Sequence, residues 1–214
     1  MIPKTIQQKI DEGRQYRSID LNEMRTDGEE GSYIVEGYAT TFNQPYELFR
    51  TADYSVVEQI DRNAFENTDM SDVLMQFNHE GKVYARISNG TLELNTDDHG
   101  LNVRADLGGT EIGRQLFEEI KGGYITKMSF GFTVDQDKRE ESRNTETGMI
   151  TILRTITAIR KLYDVSAVSL PANDATEISA RAFSEGVIAE AAEECRAVAE
   201  REARKRKIKI LMEV

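Results

Sequence analysis

Polar and apolar positions alternate with a period of two through the middle of the chain. From Ser32, Tyr33, Val35 and Gly37 alternate with Ile34, Glu36 and Tyr38, followed by Ala39, Thr40, Thr41 and Phe42. That pattern predicts a long strand bent at Gly37 and ended by the turn Asn43-Gln44-Pro45. Ser55 to Ile60 reads as a short strand, and Arg62 to Thr68 as a turn or two of helix. In Asp72 to His79, residues Val73, Met75, Phe77 and His79 share one face of a strand. Val83–Ile87, Thr91–Asn95 and Leu101–Leu107 continue the series, with Asn89-Gly90 as a hairpin signal. In Ile125 to Val134, residues Met128, Phe130 and Phe132 face one side, and Ser129, Gly131 and Thr133 the other. The charged stretch Asp135 to Gly148 is expected to be a long loop. Two further β-rich runs follow, Met149–Ile159 and Lys161–Leu170.

The period changes in two places. Ile112, Leu116 and Ile120 recur at helical spacing over Thr110–Lys121, and Gly122-Gly123 ends that helix. From Ser184 the chain becomes rich in Ala and Glu, with a weak apolar stripe and a basic end at Arg201 to Lys209. Three regions are therefore expected. Residues 1–31 form a polar, loosely ordered lead-in, residues 32–183 a β-rich domain, and residues 184–214 a charged helical tail. Short connections favour antiparallel pairing, so the expected fold is α+β: a mostly antiparallel β-barrel flanked by helices.

Composition narrows the function. The 214 residues carry a net charge of −11, which disfavours nucleic acid as a partner. No apolar run is long enough to span a bilayer, and the N-terminal stretch lacks the apolar segment of a secretory signal, so no membrane partner is expected. The single cysteine, Cys195, allows no intramolecular disulfide and fits a reducing cytosol.

Two histidines, His79 and His99, limit where acid–base chemistry can sit. A serine nucleophile needs an adjacent base, usually histidine, and a third group to orient that base. His79 lies at a strand end beside Glu80-Gly81, at a sheet edge where a side chain can reach a cleft or simply sit solvated on a rim. His99 sits in the turn Asp97-Asp98-His99-Gly100, where a solvated role is the plain reading. Ser129 lies opposite its aromatic neighbours, and Gly131 on the same face leaves open space beside it for a substrate backbone. Asp164 interrupts the apolar run Lys161 to Val168, so it is either solvated or paired with a base. Ser166 and Ser169 read as packing residues. Gly108-Gly109-Thr110-Glu111-Ile112-Gly113 lacks the lysine and spacing of a phosphate-binding loop, no metal-ligand spacing is present, and no cofactor is expected.

Several segments, in order, resemble the prohead (capsid maturation) serine proteases of tailed phages. They are Val35-Glu36-Gly37-Tyr38-Ala39 with Phe42-Asn43, Asn63-Ala64-Phe65, Asp72-Val73 leading to Asn78-His79, Met128-Ser129-Phe130-Gly131-Phe132, and Leu162-Tyr163-Asp164-Val165-Ser166 followed by Pro171-Ala172. The resemblance implies a barrel similar to that of the herpesvirus assembly proteases. It places the family's histidine on His79, its serine on Ser129 and its acidic member on Asp164. Herpesvirus relatives use a second histidine as the third member, but His99 precedes the serine and does not fit that role.

The resemblance further implies an endopeptidase acting on the phage's scaffold and major capsid protein, and on itself, inside the assembling procapsid in the host cytoplasm. Association into a homo-oligomer is left open, and the tail after Ser184 reads as a packaging segment, a self-removed segment or a solvated helix. An oxyanion hole is expected from backbone N–H groups around Ala172, Asn173 and Asp174. Two rival readings remain: an inactive scaffold protein with the same barrel, and a β-barrel binding module with no part in capsid assembly.

Overall fold

The computed structural model describes residues 12–20, 25–26, 31–169 and 174–212. Among these residues, eleven strands and two α-helices follow in order. They are β1 (Gln15–Asp20), β2 (Arg25–Thr26), β3 (Ile34–Thr41), β4 (Tyr46–Arg50), β5 (Tyr54–Ile60), β6 (Leu74–Phe77), β7 (Glu80–Arg86), β8 (Leu92–Thr96), β9 (Gly100–Asp106), α1 (Glu111–Lys121), β10 (Lys127–Arg143), β11 (Ile150–Val168) and α2 (Asp174–Met212). The α+β class holds, but the expected barrel does not close among the described residues. The strands form a seven-stranded sheet and a separate four-stranded sheet ordered β2-β3-β9-β8.

The reason lies in β11. One of its edges pairs antiparallel with β10. Its other edge is divided between two parallel strands, β5 along Ile150–Ile156 and β6 along Asp164–Ala167. β1 pairs antiparallel with β10 and ends the main path β1-β10-β11-β5-β4, while β7 pairs with β6. Apolar residues of both sheets, among them Val35, Leu101, Val103, Met75, Phe130 and Val165, share one buried core with Leu116 and Phe117 of α1. Thr110 caps α1, its Oγ1 accepting from the Gly113 N–H at 3.0 Å.

Several local expectations change. Asp135–Arg143 is strand, continuing β10 into a long ribbon with β11. Its charged side chains conceal a segment that pairs with β11 from Gln136 to Arg143, beyond irregularities near Val134 and Gln136 that leave Asp135 out of the register. The ribbon's far part is anchored by Ile152, buried under Val187 and Ala191 of α2. Asn89-Gly90 closes a single 3-10 turn, with Gly90 left-handed, rather than a hairpin. Arg62–Thr68 is a run of turns and not a helix. The bulge in β3 falls between Tyr38 and Thr40 instead of at Gly37. Within the stretch expected to be a loose lead-in, residues 15–20 and 25–26 are strand.

β1 carries a large charge into the interior. Arg17 is 1% exposed, Glu58 of β5 is 0% and Arg154 of β11 is 2%. Arg17 holds Glu58 through Nε–Oε1 at 2.6 Å and Nη2–Oε2 at 3.0 Å. Arg154 Nη1 donates to Glu58 Oε2 at 2.7 Å and the Tyr46 hydroxyl to Oε1 at 2.6 Å, so the carboxylate is fully engaged. Burial works to raise the Glu58 pKa, but the flanking guanidinium groups and these hydrogen bonds outweigh it and hold the carboxyl below its ordinary range.

Candidate active site

Strand register brings the site together. Across the β10–β11 ladder Ser129 lies opposite Ser166, and Gly131 opposite Asp164. Opposed residues project to the same face, so these four positions form one patch. β6 docks parallel to β11 with Leu74 level with Asp164 and Phe77 level with Ala167, and the Asn78 N–H donates to the Ala167 carbonyl at 3.0 Å. That docking sets the two-residue turn between β6 and β7 beside the patch.

The turn is Asn78-His79, linking the paired residues Phe77 and Glu80. Both turn residues are left-handed, with φ of 51° and 63°. Positive φ at both centres is the signature of a type I′ hairpin turn, where the second position usually belongs to glycine. A histidine held there is in a costly conformation, of the kind that concentrates at functional sites.

The geometry is that of a relay. His79 Nε2 lies 2.7 Å from Ser129 Oγ, and His79 Nδ1 lies 2.5 Å from Asp164 Oδ1. Ser166 Oγ donates to the same Asp164 oxygen at 2.8 Å. His79 and Ser129 are fully buried and Asp164 is 1% exposed. Burial works to raise the Asp164 pKa, yet the charge and hydrogen bond of His79, the Ser166 hydroxyl and the Arg14 guanidinium outweigh it and hold the carboxyl below its ordinary value. An ionised Asp164 can only accept, so His79 carries its proton on Nδ1 and leaves Nε2 to accept from Ser129.

Gly131 has a different purpose from the one expected. The space beside it is filled: a Cβ there would stand 2.5 Å from Asp164 Oδ2 and 2.9 Å from Tyr16 Cε1. Glycine is needed so that the carboxylate can reach the histidine. His99 stays apart, its ring packed edge-on against Tyr38 at 4.5 Å in the turn between β8 and β9. Ala172 and Asn173 lie outside the described residues, and of Asp174 only the backbone is described, at the start of α2. Among the described residues no group of three or more His, Cys, Asp or Glu side chains could hold a metal ion. Cys195 is exposed on α2, and no helix among the described residues is long and apolar enough to cross a membrane.

The sequence pattern conceals three contributors. Ser166 reads as packing, although its spacing of two from Asp164 on a strand was a usable signal. Tyr16 packs its ring against that of His79, with centroids 4.5 Å apart and the planes inclined by 59°. Arg14 lies over the Tyr163 ring at 3.7 Å, with Nη1 3.8 Å from Asp164 Oδ2. Both belong to the polar N-terminal stretch, where nothing local marks a partner more than sixty residues away along the chain.

A serine, a histidine and an ionised aspartate in series define a class: hydrolases that attack through an activated serine. The chain belongs to the caudovirus prohead serine protease family (Peptidase_S78), whose sequence model matches residues 19–189. It is therefore a serine protease of phage capsid maturation. A solved structure, the capsid assembly protease gp21 of bacteriophage T4, aligns at 12% identity over 74% of this chain and 99% of that one, with a TM-score of 0.38. No curated protein matches the chain.

Proposed function

We propose that Ser129 is the nucleophile, His79 the general base and Asp164 the group that orients and stabilises the histidine. On this reading Ser129 Oγ attacks the scissile carbonyl carbon while His79 Nε2 takes its proton. Asp164 fixes the tautomer and offsets the imidazolium charge. The tetrahedral intermediate collapses, the amine leaves with the proton from His79, and water releases the acyl group by the same steps in reverse. The observation that carries the reading is the unbroken chain from Ser129 through His79 to Asp164, at 2.7 and 2.5 Å.

The substrates are the phage's major capsid protein and scaffold, with the protease itself as a further substrate, and the enzyme acts within the assembling capsid. Family membership supports this part. The resemblance to prohead proteases implies a kinship between these two open sheets and the barrel of the herpesvirus assembly proteases. A catalytic unit over 32–183 with a charged C-terminal appendage, removed or used in packaging, belongs to the same reading. An inactive scaffold role is disfavoured by a complete set of triad side chains in register.

Co-expression with the cognate capsid protein and scaffold, followed by intact-mass analysis, tests the proposal. Cleavage products are expected with the native chain and none with Ser129→Ala. Unchanged processing by Ser129→Ala overturns the assignment.

A further inference from the structure

β1 lies along β10 as an added strand, with Gln15 opposite Phe132, Tyr16 opposite Gly131, Arg17 opposite Phe130 and Ser18 opposite Ser129. It ends the path through the larger sheet and covers the edge of β10 that β11 leaves open, along the stretch that carries Ser129. An extended peptide binds such an edge by main-chain pairing, with alternate side chains entering pockets. The Arg17 carbonyl oxygen accepts from Ser129 Oγ at 2.9 Å. The nucleophile therefore faces the peptide bond between Arg17 and Ser18. The hydroxyl has one proton, so Arg17 and His79 compete for it.

Arg17 projects from the opposite face of β1 into the buried slot formed by Glu58, Arg154 and Tyr46. Charge in this slot balances only while Arg17 is there. Arg154 also binds Asp137, through Nε–Oδ2 at 2.6 Å, so Arg154 alone faces two carboxylates, Glu58 and Asp137. With Arg17 the count is two cations to two anions. With Arg17 gone, Arg154 is shared between Glu58 and Asp137 and the Glu58 oxygens lose the donors that Arg17 supplied, which favours a cation of the right reach.

We propose that β1 occupies the enzyme's own substrate groove, that Glu58 selects a basic residue immediately before the cleaved bond, and that Arg17–Ser18 is the self-cleavage site this arrangement presents. The inference rests on Ser129 being the nucleophile. In the reaction Ser129 Oγ bonds to the Arg17 carbonyl carbon, the bond to the Ser18 nitrogen breaks, and that nitrogen leaves as an amine carrying the proton relayed by His79. Water then frees Ser129 and leaves Arg17 with a carboxylate. Until β1 departs, it also shields Ser129 from other peptides.

The test uses the full chain, native and Ser129→Ala, incubated alone and with peptides from a denatured protein, with every cut located by mass spectrometry. The expected result is a new N-terminus at Ser18, and Ser129-dependent peptide cuts after arginine or lysine at least about tenfold more often than after any other residue. Arg17→Lys is expected to keep self-cleavage, whereas Arg17→Gln slows it about 30-fold or more, as does Glu58→Gln for arginine peptides. Because Glu58→Gln disturbs a buried cluster, the Arg17 pair and the native chain's cut positions decide independently of it. Ser129-dependent cuts with no basic preference overturn the inference and leave the protease assignment standing. Absence of any Ser129-dependent cut overturns both.

Discussion

The carboxylate of Asp164 occupies the space that a side chain at Gly131 would need, with Oδ2 only 2.5 Å from the position of a Cβ. The two residues face each other across β10 and β11, so neither strand can yield without breaking the ladder that also positions Ser129. Gly131→Ala is therefore expected to push Asp164 off His79. Overpacking of this kind costs about 1–3 kcal/mol in stability. Loss of the Asp164 geometry should lower kcat at least about 100-fold. Chemical unfolding together with a capsid-protein cleavage assay checks both. A fully active, equally stable Gly131→Ala enzyme would contradict the arrangement.

Asp164→Asn separates charge from shape. The amide nearly matches the carboxylate in size but brings a donor towards His79 Nδ1, which moves the ring proton to Nε2 and removes the acceptor for Ser129. A drop in kcat of about 10³–10⁴-fold is expected at neutral pH with the fold retained. Ser166→Ala removes one hydrogen bond from the same oxygen and leaves the tautomer alone, so a loss of about tenfold or less is expected. Steady-state kinetics alongside circular dichroism distinguishes these outcomes. Equal losses in the two variants would place the carboxylate's importance in packing.

Much of the site was legible, and for definable reasons. Strand phase separates Ser129 from Met128, Phe130 and Phe132, and an acid inside Leu162–Val168 is either solvated or paired with a base, while only the family resemblance joins Ser129, His79 and Asp164. The period-two pattern locates most of the strands, and helical spacing finds α1. What escaped depends on pairings that no local pattern records. β11 divides one edge between β5 and β6, which decides whether a barrel closes, and both are parallel neighbours brought from far along the chain. Arg17 makes β1 look solvated, although its partner Glu58, 41 residues on, buries it completely. The charged residues 135–143 hide a strand for the same reason, since a ladder hydrogen bond is made by the backbone whatever the side chain.

Acid should weaken the fold through Asp164. Its folded-state pKa lies below the ordinary 3.8, because the gains from His79, Ser166 and Arg14 exceed the opposing cost of burial. A carboxyl with a depressed pKa contributes stability that is fully present above the unfolded value and is lost as pH falls through the folded one. The stability difference between native chain and Asp164→Asn should therefore shrink on acidification below about pH 4. Urea unfolding of both proteins at a series of pH values from about 6 down to about 2.5 measures it. A difference independent of pH across that range would mean that Asp164 gains nothing from its partners.

The docking of α2 depends on Ile152, which is 1% exposed between the ribbon and the helix residues Val187 and Ala191. Ile152 also sits on the stretch of β11 that pairs with β5, level with Val56. Truncation to alanine removes the side chain that joins sheet to helix, and the rigid ladder on both sides of β11 prevents the strand from closing the gap. A loss of about 2–4 kcal/mol is expected for Ile152→Ala. Val198 lies farther along α2 and is 58% exposed, so Val198→Ala should change stability by less than about 0.5 kcal/mol. Denaturant unfolding of the two variants gives the comparison. Limited proteolysis adds a second measurement, because an undocked α2 should be cut within residues 180–191 faster in Ile152→Ala than in the native chain. Equal stability and equal protection of the two variants would show that the helix is not held by this contact.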